Sequence, residues 1–429
     1  MNELFYLKAF FIKKYPLIFL LCALYANSFC KPSNRYSGKS INFADTTIHE
    51  AVTDSSLVQT TLQKPNCKGK KIYLTKGGDN GVYFDGNSFG CKPGDTLVLQ
   101  ASNNPYTYFA IGALHGTEDC PITIINEGGQ INLSNGMALD NCRFINITGT
   151  GNSKENYGFK IEDPASQGVG VDIHGRSSNI EIQHVFIHNK TYGFWVKQEG
   201  SCIDSLQYPN WVIGNIYIHD NKIVKMNQEG MYLGSTDPNG ARNVSCDGKV
   251  IHPMPLRLGN IKVYNNIVDS TNRSGIQLSC GSEIMNEIFN NTVTNCGFEL
   301  SDIQGNGISL GGYSSAKIYN NKINHTYALG IMCLGSGKIL IKNNTIDNSG
   351  NLNGNKTNGM AGIMIDTRPT NPVDSTNFFI LDNKIGSNTD HSIRVYKTVD
   401  SYAKGNVICN SGNVEAADGI DLTDCSNKK

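Results

Sequence analysis

The chain has little excess charge of either sign. Its 37 Lys and Arg residues balance 37 Asp and Glu residues, and the formal net charge at pH 7 is +0. Nucleic-acid-binding proteins concentrate basic residues on one face, and no basic stripe runs through this sequence. We therefore expect no nucleic-acid partner, and any recognition by charge must be local.

Apolar stretches long enough to cross a membrane are also lacking. The apolar run at residues 17–24 is too short for a stable span, and it follows three lysines. Small residues come after it, so residues 1–28 are predicted to be a signal peptide. A retained anchor, or lipidation at Cys22 or Cys30, is the alternative. We expect a secreted, cell-surface or periplasmic protein with no membrane span in the mature chain and a flexible leader at residues 29–66.

Residue spacings typical of metal sites are missing. No CxxC pair or Cys/His cluster suits zinc, and no DxDxDG-like loop suits calcium, so we expect no metal and no cofactor, with calcium the weaker alternative. The cysteines of an exported chain are instead expected to pair. Cys333 occupies an inward apolar position and is expected to be a small buried residue. Candidate disulfides between sequence neighbours are Cys67/Cys91, Cys120/Cys142, Cys202/Cys246 and Cys409/Cys425.

Helical periodicity is nearly absent, whereas turn residues are abundant. A short phrase keeps returning: usually an aromatic or apolar residue, then Asn or Asp, Asn, a polar residue and a β-branched one. Its copies are HDNKI at 219–223, YNNIV at 264–268, FNNTV at 289–293, YNNKI at 319–323, KNNTI at 342–346, LDNKI at 381–385 and KGNVI at 404–408. Asn tolerates left-handed backbone, and its amide can bond to the equivalent Asn one coil away. The phrase therefore predicts turns joined by an Asn ladder.

Gly-led strands accompany this phrase. They are GVDI at Gly170, GFWV at Gly193, GMYL at Gly230, GIQL at Gly275, GISL at Gly307, GIMC at Gly330 and GIMI at Gly362, with SIRV at Ser392 as a related strand. Apolar residues alternate within them, which indicates short strands. A repeat of roughly 23 residues cannot close its own core and must stack on its neighbours. The sequence predicts an all-β, single-stranded right-handed parallel β-helix at 136–425, with an N-terminal cap and first coils at 67–135 and a tail at 426–429.

Insertions between the coils are placed unevenly. Surplus residues at 199–211, 234–258, 349–360 and 367–377 leave the stack on either side of the Gly-led strands. Long loops that flank one strip of a rigid scaffold form a groove, and binding residues concentrate there. We therefore expect a groove along the Gly-led strands.

Alternation predicts which side chains face this groove. The first and third residues after Gly point inward, so the second and fourth point outward. The second place gives Asp172, Trp195, Tyr232, Gln277, Ser309, Met332, Met364 and Arg394, and the fourth gives His174, Lys197, Gly234, Ser279, Gly311, Leu334, Asp366 and Tyr396. An outward Trp195 one coil from an outward Tyr232 suits a sugar-stacking platform. The competing interpretation packs both rings beneath the 199–211 loop and leaves the charges as a solvated face.

Two cleavage chemistries fit these side chains. β-Elimination on a uronic-acid polymer needs a base and cations that stabilise the developing charge. Hydrolysis needs two carboxylates, for which Asp172 and Glu229 are available. The candidate bases are Lys197, His174 and Tyr232, and the candidate cations are Arg242, Arg257 and Arg273. The candidates for substrate binding are Trp195, Gln277, Arg273, His252, Asp366 and Arg394.

The Asn phrases, the Gly-led strands and the opening PGDTLVLQ at 93–100 with GTEDCPITIINEGGQINL at 116–133 resemble the pectate-lyase-like superfamily of right-handed parallel β-helix proteins. The opening is similar to the start of secreted alginate and chondroitin lyases. The RxPxxR pattern of pectate lyases is missing, and the strands SGIQLSCGS and NGISLGGYS lack the Arg of alginate and chondroitin lyases. The nearest string to a polygalacturonase signature is DIHG at 172–175. The resemblance therefore implies the fold, and no catalytic residue is carried over.

We expect a secreted polysaccharide-active protein, and a lyase that cleaves an acidic glycan by β-elimination is the favoured function. Two alternatives stay open: a non-catalytic carbohydrate-binding or surface β-helix protein, and a glycoside hydrolase with paired carboxylates. The expected partner is a polysaccharide, and the expected state is a monomer.

Overall fold

The structure is a computed structural model. It describes residues 67–163, 165, 167–240, 243–281, 284–334, 337–366, 377–396, 401–409 and 420–424. Within these ranges the regular structure consists of strands and two 3-10 turns, at Ala101–Asn103 and Asp204–Leu206. None of the described segments forms a helix that is both apolar and long enough to cross a membrane. The predicted signal peptide, leader and tail lie outside the described residues.

Parallel strands stack into three columns, and each strand pairs mainly with the strands one coil before and after it. Sheet I contains β1 (Lys71–Tyr73), β3 (Thr96–Gln100), β5 (Ile122–Glu127), β7 (Arg143–Thr148), β10 (Ser178–Gln183), β13 (Val212–His219), β18 (Arg257–Tyr264), β21 (Asn286–Phe289), β24 (Ala316–Tyr319), β27 (Lys338–Lys342), β32 (Asn377–Leu381) and β35 (Ser401–Cys409). Because parallel pairing begins at Lys71, the first coils lie within segment 67–135.

The second and third columns follow sheet I along each coil. Sheet II contains β8 (Phe159–Glu162), β11 (Val185–Lys190), β14 (Lys222–Met226), β19 (Ile267–Thr271), β22 (Thr292–Cys296), β25 (Lys322–Thr326), β28 (Thr345–Ser349) and β33 (Lys384–Gly386). Sheet III contains β2 (Val82–Asp85), β4 (Tyr106–Gly112), β6 (Ile131–Asp140), β9 (Val169–His174), β12 (Tyr192–Val196), β15 (Met231–Leu233), β20 (Ile276–Leu278), β23 (Ile308–Leu310), β26 (Ile331–Leu334), β31 (Ala361–Asp366) and β34 (His391–Tyr396). Sheet III is thus built mostly from the Gly-led strands.

Three further pairings complete the strand list. β36 (Ile420–Asp424) pairs in parallel with β35. Two small antiparallel hairpins project from the coils: β16 (Val244–Cys246) with β17 (Lys249–Ile251), and β29 (Asn351–Leu352) with β30 (Asn355–Lys356). Both hairpins lie in segments where the sequence predicts surplus residues.

Aliphatic side chains fill the space between the sheets. Ile145, Ile180, Ile216 and Ile261 follow one another in register through four coils of sheet I. Each is at most 1% exposed. Burial of such a continuous apolar stack supplies the main favourable free energy of the fold.

The predicted Asn ladder is confirmed, and the two positions of the phrase have separate roles. The first position takes left-handed backbone, with φ between 54° and 57°, at Asp220, Asn265, Asn290, Asn320, Asn343 and Asp382. The second position forms side-chain amide bonds of 2.9–3.1 Å in the series Asn221, Asn266, Asn291, Asn321, Asn344 and Asn383. Each acceptor oxygen in these bonds also receives the backbone N–H of the preceding Asn. The ladder therefore satisfies polar groups that are at most 1% exposed.

The glycine that leads each sheet III strand is required by the neighbouring coil. A Cβ on Gly275 would lie 2.4 Å from Val293 Cγ1 and 2.8 Å from the carbonyl oxygen of Gly307. A Cβ on Gly330 would lie 2.5 Å from the carbonyl oxygen of Gly362. Any larger residue would force the coils apart.

The disulfide pattern corrects part of the prediction. The Cys202–Cys246 bond is confirmed, but Cys67 is bonded to Cys120, with a Cα–Cα distance of 5.6 Å. The predicted pairs Cys67/Cys91 and Cys120/Cys142 are therefore wrong, because the solenoid brings together residues from stacked coils rather than sequence neighbours. Cys142 is instead an inward free thiol, 0% exposed, and Cys91 is also free.

Two other cysteine predictions have different outcomes. Cys333 is 1% exposed and packs in the apolar core, as predicted. The pair Cys409/Cys425 extends outside the described residues.

Candidate functional site

The predicted outward column forms a continuous row on sheet III, but only part of it is exposed. Gln277, Ser309 and Met332 are 9%, 2% and 8% exposed, because Ser309 bonds to Ser274 and Asn306 and Met332 packs against Leu329 and Ala361. Strand pairing places the members of the row opposite one another in successive coils: Asp172, Trp195, Tyr232, Gln277, Ser309, Met332, Met364 and Arg394. Adjacent coils are about 4.8 Å apart, so neighbouring side chains of the row can touch. We call this row, together with the outward residues beside it, the sheet III strip.

Three aromatic rings form the centre of the strip. The Trp195 ring centroid lies 4.7 Å from that of Tyr192 and 4.8 Å from that of Tyr232, both in edge-to-face contact. This geometry is favoured by the ring quadrupoles. Trp195 and Tyr232 share one face of the β-helix and remain partly exposed. We call Tyr192, Trp195 and Tyr232 the ring cluster.

A buried cation supports the ring cluster. Lys197 Nζ lies 4.1 Å from the Trp195 ring centroid and 4.2 Å from the Tyr232 ring centroid. The same atom lies 2.9 Å from Glu199 Oε1, and Ser235 Oγ donates a hydrogen bond of 2.9 Å to Glu199 Oε2. Lys197 is only 6% exposed. Its ammonium therefore fixes the rings from beneath through cation–π contacts.

An imidazole between two carboxylates lies beside the ring cluster. His174 Nδ1 is 3.3 Å from Asp172 Oδ2, and His174 Nε2 is 3.7 Å from Asp140 Oδ1. Burial lowers the pKa of His174, but Asp172 and Asp140 outweigh that effect and raise it to about 9. Burial raises the pKa of Asp140, which His174 opposes and Asp172 reinforces. His174 therefore carries a proton at neutral pH.

Glu229 and Arg273 lie at the strip edge where the Gly-led strands begin. Glu229 is 2% exposed, and its Oε2 has no hydrogen-bond partner among the described residues. Burial raises the pKa of Glu229, while the charge of Arg273 opposes this. The guanidinium of Arg273 donates to both carboxylate oxygens of Glu299, at 2.5 and 3.3 Å.

The other predicted site residues lie away from the ring cluster or beneath it. Gln277 follows Tyr232 in the row and is 9% exposed. Asp366 and Arg394 lie at the far end of the strip, where Arg394 donates to the carbonyl oxygen of Gly359 at 2.9 Å.

The predicted site residues near the loops also lie apart from the ring cluster. The Arg257 guanidinium stacks 4.0 Å from the Tyr208 ring centroid. His252 is exposed on the loop after β17, and Arg242 lies outside the described residues. The structure thus brings together Asp172, His174, Trp195, Lys197, Glu229, Tyr232 and Arg273.

Four residues of this site were missed by sequence reasoning: Asp140, Tyr192, Glu199 and Glu299. Asp140 had a usable signal, because GMALD at 136–140 is an earlier Gly-led strand and Asp140 holds its fourth place. Tyr192 precedes Gly193, a position that strict alternation from Gly does not cover. Glu199 and Glu299 lie in insertions, whose spatial position no periodicity gives.

No metal-binding site is evident among the described residues. Across the described ranges, no group of three or more His, Cys, Asp and Glu side chains is arranged to hold a metal ion.

Comparison with known proteins defines the class. The family model for the right handed beta helix region matches residues 130–300. Together with the three parallel columns, this match confirms the predicted fold: the chain is a right-handed parallel β-helix protein. No curated protein sequence matches it.

Several solved structures are similar to this chain at low identity. A lacto-N-biosidase from Eubacterium ramulus is 12% identical, covers 80% of this chain and 67% of its own, and has a TM-score of 0.49. An alginate lyase from Paenibacillus sp. is 14% identical, with coverages of 79% and 99% and a TM-score of 0.40. A mannuronan C-5 epimerase module from Azotobacter vinelandii is 13% identical, with coverages of 83% and 88% and a TM-score of 0.40. These likenesses concern the fold alone.

Proposed function

We propose that this protein is polysaccharide-active and holds an extended glycan along the sheet III strip. The observation that carries the proposal is the ring cluster, in which Trp195 and Tyr232 are partly exposed on adjacent coils and are fixed from beneath by Lys197. Sugar faces stack on such rigid amphipathic rings. A regular row of coils suits a linear polymer, because successive side chains repeat about every 4.8 Å.

The charges around the ring cluster favour hydrolysis. The carboxyl groups near the rings are Asp140, Asp172, Glu199, Glu229 and Glu299, and the cations are His174, Lys197 and Arg273. Each of these cations already contacts a carboxylate. Binding of a uronic-acid carboxylate would have to compete with these existing ion pairs, so the strip suits a neutral glycan better.

Hydrolysis needs one protonated and one ionised carboxyl group. Asp140, with its raised pKa, suits the proton donor, and Asp172, beside Trp195, suits the base or nucleophile. His174 lies between them, 3.3 Å from Asp172 Oδ2 and 3.7 Å from Asp140 Oδ1. Glu229, the other carboxyl considered for this chemistry, is only 2% exposed and is less accessible to a glycosidic oxygen.

β-Elimination on an acidic glycan is the second candidate. Tyr232 supports it, because its hydroxyl lies at the strip within 3.1 Å of Thr236 Oγ1 and could accept a proton after ionisation. The pKa of His174, about 9, argues against this imidazole as a base at neutral pH. Lys197 binds two rings and Glu199, contacts that suit an ammonium cation.

One assay separates the chemistries. The protein is incubated with neutral glycans (galactan, xylan, mannan) and acidic glycans (alginate, pectate, chondroitin, heparin), and reducing ends and absorbance at 235 nm are both followed. We expect new reducing ends without a rise at 235 nm, and their loss in Asp140→Asn. A rise at 235 nm would replace hydrolysis with elimination. No product with any polymer, but retarded migration in a gel that contains one of them, would leave a binding protein.

We also propose that the protein acts as a monomer outside the cytoplasm. The two disulfides support export, because such bonds persist in oxidising compartments. Sedimentation of the purified chain tests the monomer, and cell fractionation tests the location.

A further inference from the structure

A cavity lies where β11, β14 and β19 of sheet II end, before the strands of sheet III begin. Its volume is about 250 Å³, and it is lined by Asn189, Lys225, Met226, Asn227, Ser270, Asn272 and Phe298. This is smaller than the roughly 300–1,000 Å³ of sites for drug-sized ligands, and it suits a single sugar ring. A larger cavity of about 380 Å³ lies at the Asn-ladder turn near Asp220 and Asn265, away from the rings.

The cavity spans the two coils of the ring cluster and the two coils that follow them, with Asn189 in the coil of Trp195 and Phe298 in the coil of Ser309. Asn189 precedes Tyr192 by three residues, and its left-handed backbone (φ 56°) lies where the chain turns from sheet II to sheet III. Asn272 is followed by Arg273, and Phe298 is followed by Glu299. The Arg273–Glu299 ion pair therefore joins the cavity wall to the strip, and the charge of Arg273 acts on both Glu229 and Tyr192.

Phe298 is the exposed ring of this cavity. Its side chain is 43% exposed, although its segment is held in place by the backbone. The N–H groups of Gly297 and Phe298 donate to the carbonyl oxygen of Thr271 at 2.8 and 3.2 Å, and the N–H of Glu299 donates to that of Asn272 at 2.9 Å. An aromatic ring on fixed backbone, surrounded by amides and a hydroxyl, has the composition of a sugar subsite.

We propose that this cavity is a subsite for a neutral sugar branch, so that the preferred ligand is a branched polysaccharide whose main chain lies on the ring cluster. This inference rests on the proposed function. The main chain runs along successive coils, and a side unit that leaves it toward the start of the strands reaches Phe298. The side chains of Asn189, Asn227 and Asn272 line the cavity; Asn189 Nδ2 donates to the carbonyl oxygen of Asp163 at 2.8 Å, and the Asn272 amide can bond to a hydroxyl of the branch.

The test compares branched polymers with their unbranched backbones. Galactomannan is compared with mannan, and arabinoxylan with debranched xylan, by affinity electrophoresis or calorimetry of the full chain. For at least one pair we expect the branched member to bind about 10-fold tighter, since one stacked ring contributes roughly that factor. Phe298→Ala should remove this preference and leave the affinity for the unbranched backbone unchanged.

Two variants separate the possible failures. Phe379→Ala is the matched control, because Phe379 is 41% exposed on sheet I and should keep the preference. Trp195→Ala should weaken both members of a pair equally. Equal binding of branched and unbranched polymers by the wild type, or a preference that survives in Phe298→Ala, would overturn the branch subsite alone. Failure of the wild type to bind any of the four polymers would overturn the branch subsite. The ring platform would then be tested separately, with the neutral and acidic glycans of the cleavage assay.

Discussion

The Asn-ladder turn and the sheet III strip belong to the same coils but have different chemistry. At the turn, every coil repeats one residue type, and every amide in the series from Asn221 to Asn383 is bonded to its neighbour. On the strip, each coil contributes a different side chain, and buried atoms such as Glu229 Oε2 have no hydrogen-bond partner within the part of the chain that the structure describes. A turn that has the same residue in every coil stabilises the fold. A row whose residues differ from coil to coil and include unsatisfied polar groups is typical of a binding surface.

The largest expected loss of stability comes from a substitution that breaks the Asn ladder. In Asn344→Ala, the N–H and the side-chain amide of Asn321 lose their acceptor, and the oxygens of Asn383 and Ile318 lose a donor. We expect a loss of about 4 kcal/mol in the free energy of unfolding, since several buried groups become unsatisfied. Denaturant titration measures it. Thr345→Ala, one residue away but exposed, should change stability by less than about 0.5 kcal/mol, and equal losses would contradict a structural role specific to the ladder.

The next effect concerns the close approach at the start of sheet III strands. Gly275→Ala places a Cβ 2.4 Å from Val293 Cγ1, so we expect a loss of about 2–3 kcal/mol from overpacking. Gly78→Ala is the control, because nothing lies within 4 Å of a Cβ there. Thermal unfolding of both variants provides the measurement, and an unchanged midpoint for Gly275→Ala would show that the coils can separate at little cost.

A smaller change in stability should follow the titration of His174. Its pKa in the folded protein, about 9, is above the ordinary value of 6.5. The contacts with Asp140 and Asp172 therefore stabilise the fold fully below pH 6.5, and this contribution is lost as the pH rises through 9. Because the His174 side chain is 36% exposed, solvent screening reduces the effect to about 1 kcal/mol.

The His174 effect can be measured by comparing unfolding of the wild type and His174→Gln at pH 6 and pH 10. The gap in stability between the two proteins should be about 1 kcal/mol at pH 6 and should close at pH 10. A gap that is constant with pH would mean that the imidazole contributes by packing rather than by charge.

Trp195→Ala is expected to have the smallest effect on stability. It is also expected to have the largest effect on glycan binding. Because Trp195 is partly exposed, its removal should cost less than about 1 kcal/mol of stability. Its removal should weaken glycan binding at least about 10-fold, since the stacking surface is lost. A substitution on the strip would then change mainly the affinity for glycan, whereas a substitution in the ladder would change mainly the stability of the fold.

Much of the fold could be predicted from the sequence because the same pattern of Asn, Gly and alternating apolar residues recurs in many coils. Asn at a buried turn, Gly at a close approach and alternating apolar residues each have one physical reason, and each recurs in coil after coil. The register of the row from Asp172 to Arg394 followed from alternation, whereas the burial of Gln277, Ser309 and Met332 did not. Disulfide partners such as Cys67 and Cys120 did not follow, because they depend on how different coils align in space.

The candidate site could be predicted only in part. Trp195, Lys197 and Tyr232 have positions fixed by strand alternation, so their proximity was deducible. Glu199 and Glu299 lie in loops without periodicity, and the pairing of each with a particular cation depends on loop conformation. The raised pKa of His174 depends mainly on Asp172, two residues away on the same strand, and in smaller part on Asp140, which comes from the preceding coil.

The ring platform is tested most directly by the fluorescence of Trp195. The chain has two tryptophans, so Trp211→Phe leaves Trp195 as the single reporter. Titration of this variant with the glycan that migrates most slowly with the wild type should shift and saturate the Trp195 emission, with an affinity equal to that of the wild type. Binding without any change in Trp195 emission, or unchanged affinity in Trp195→Ala, would contradict the account.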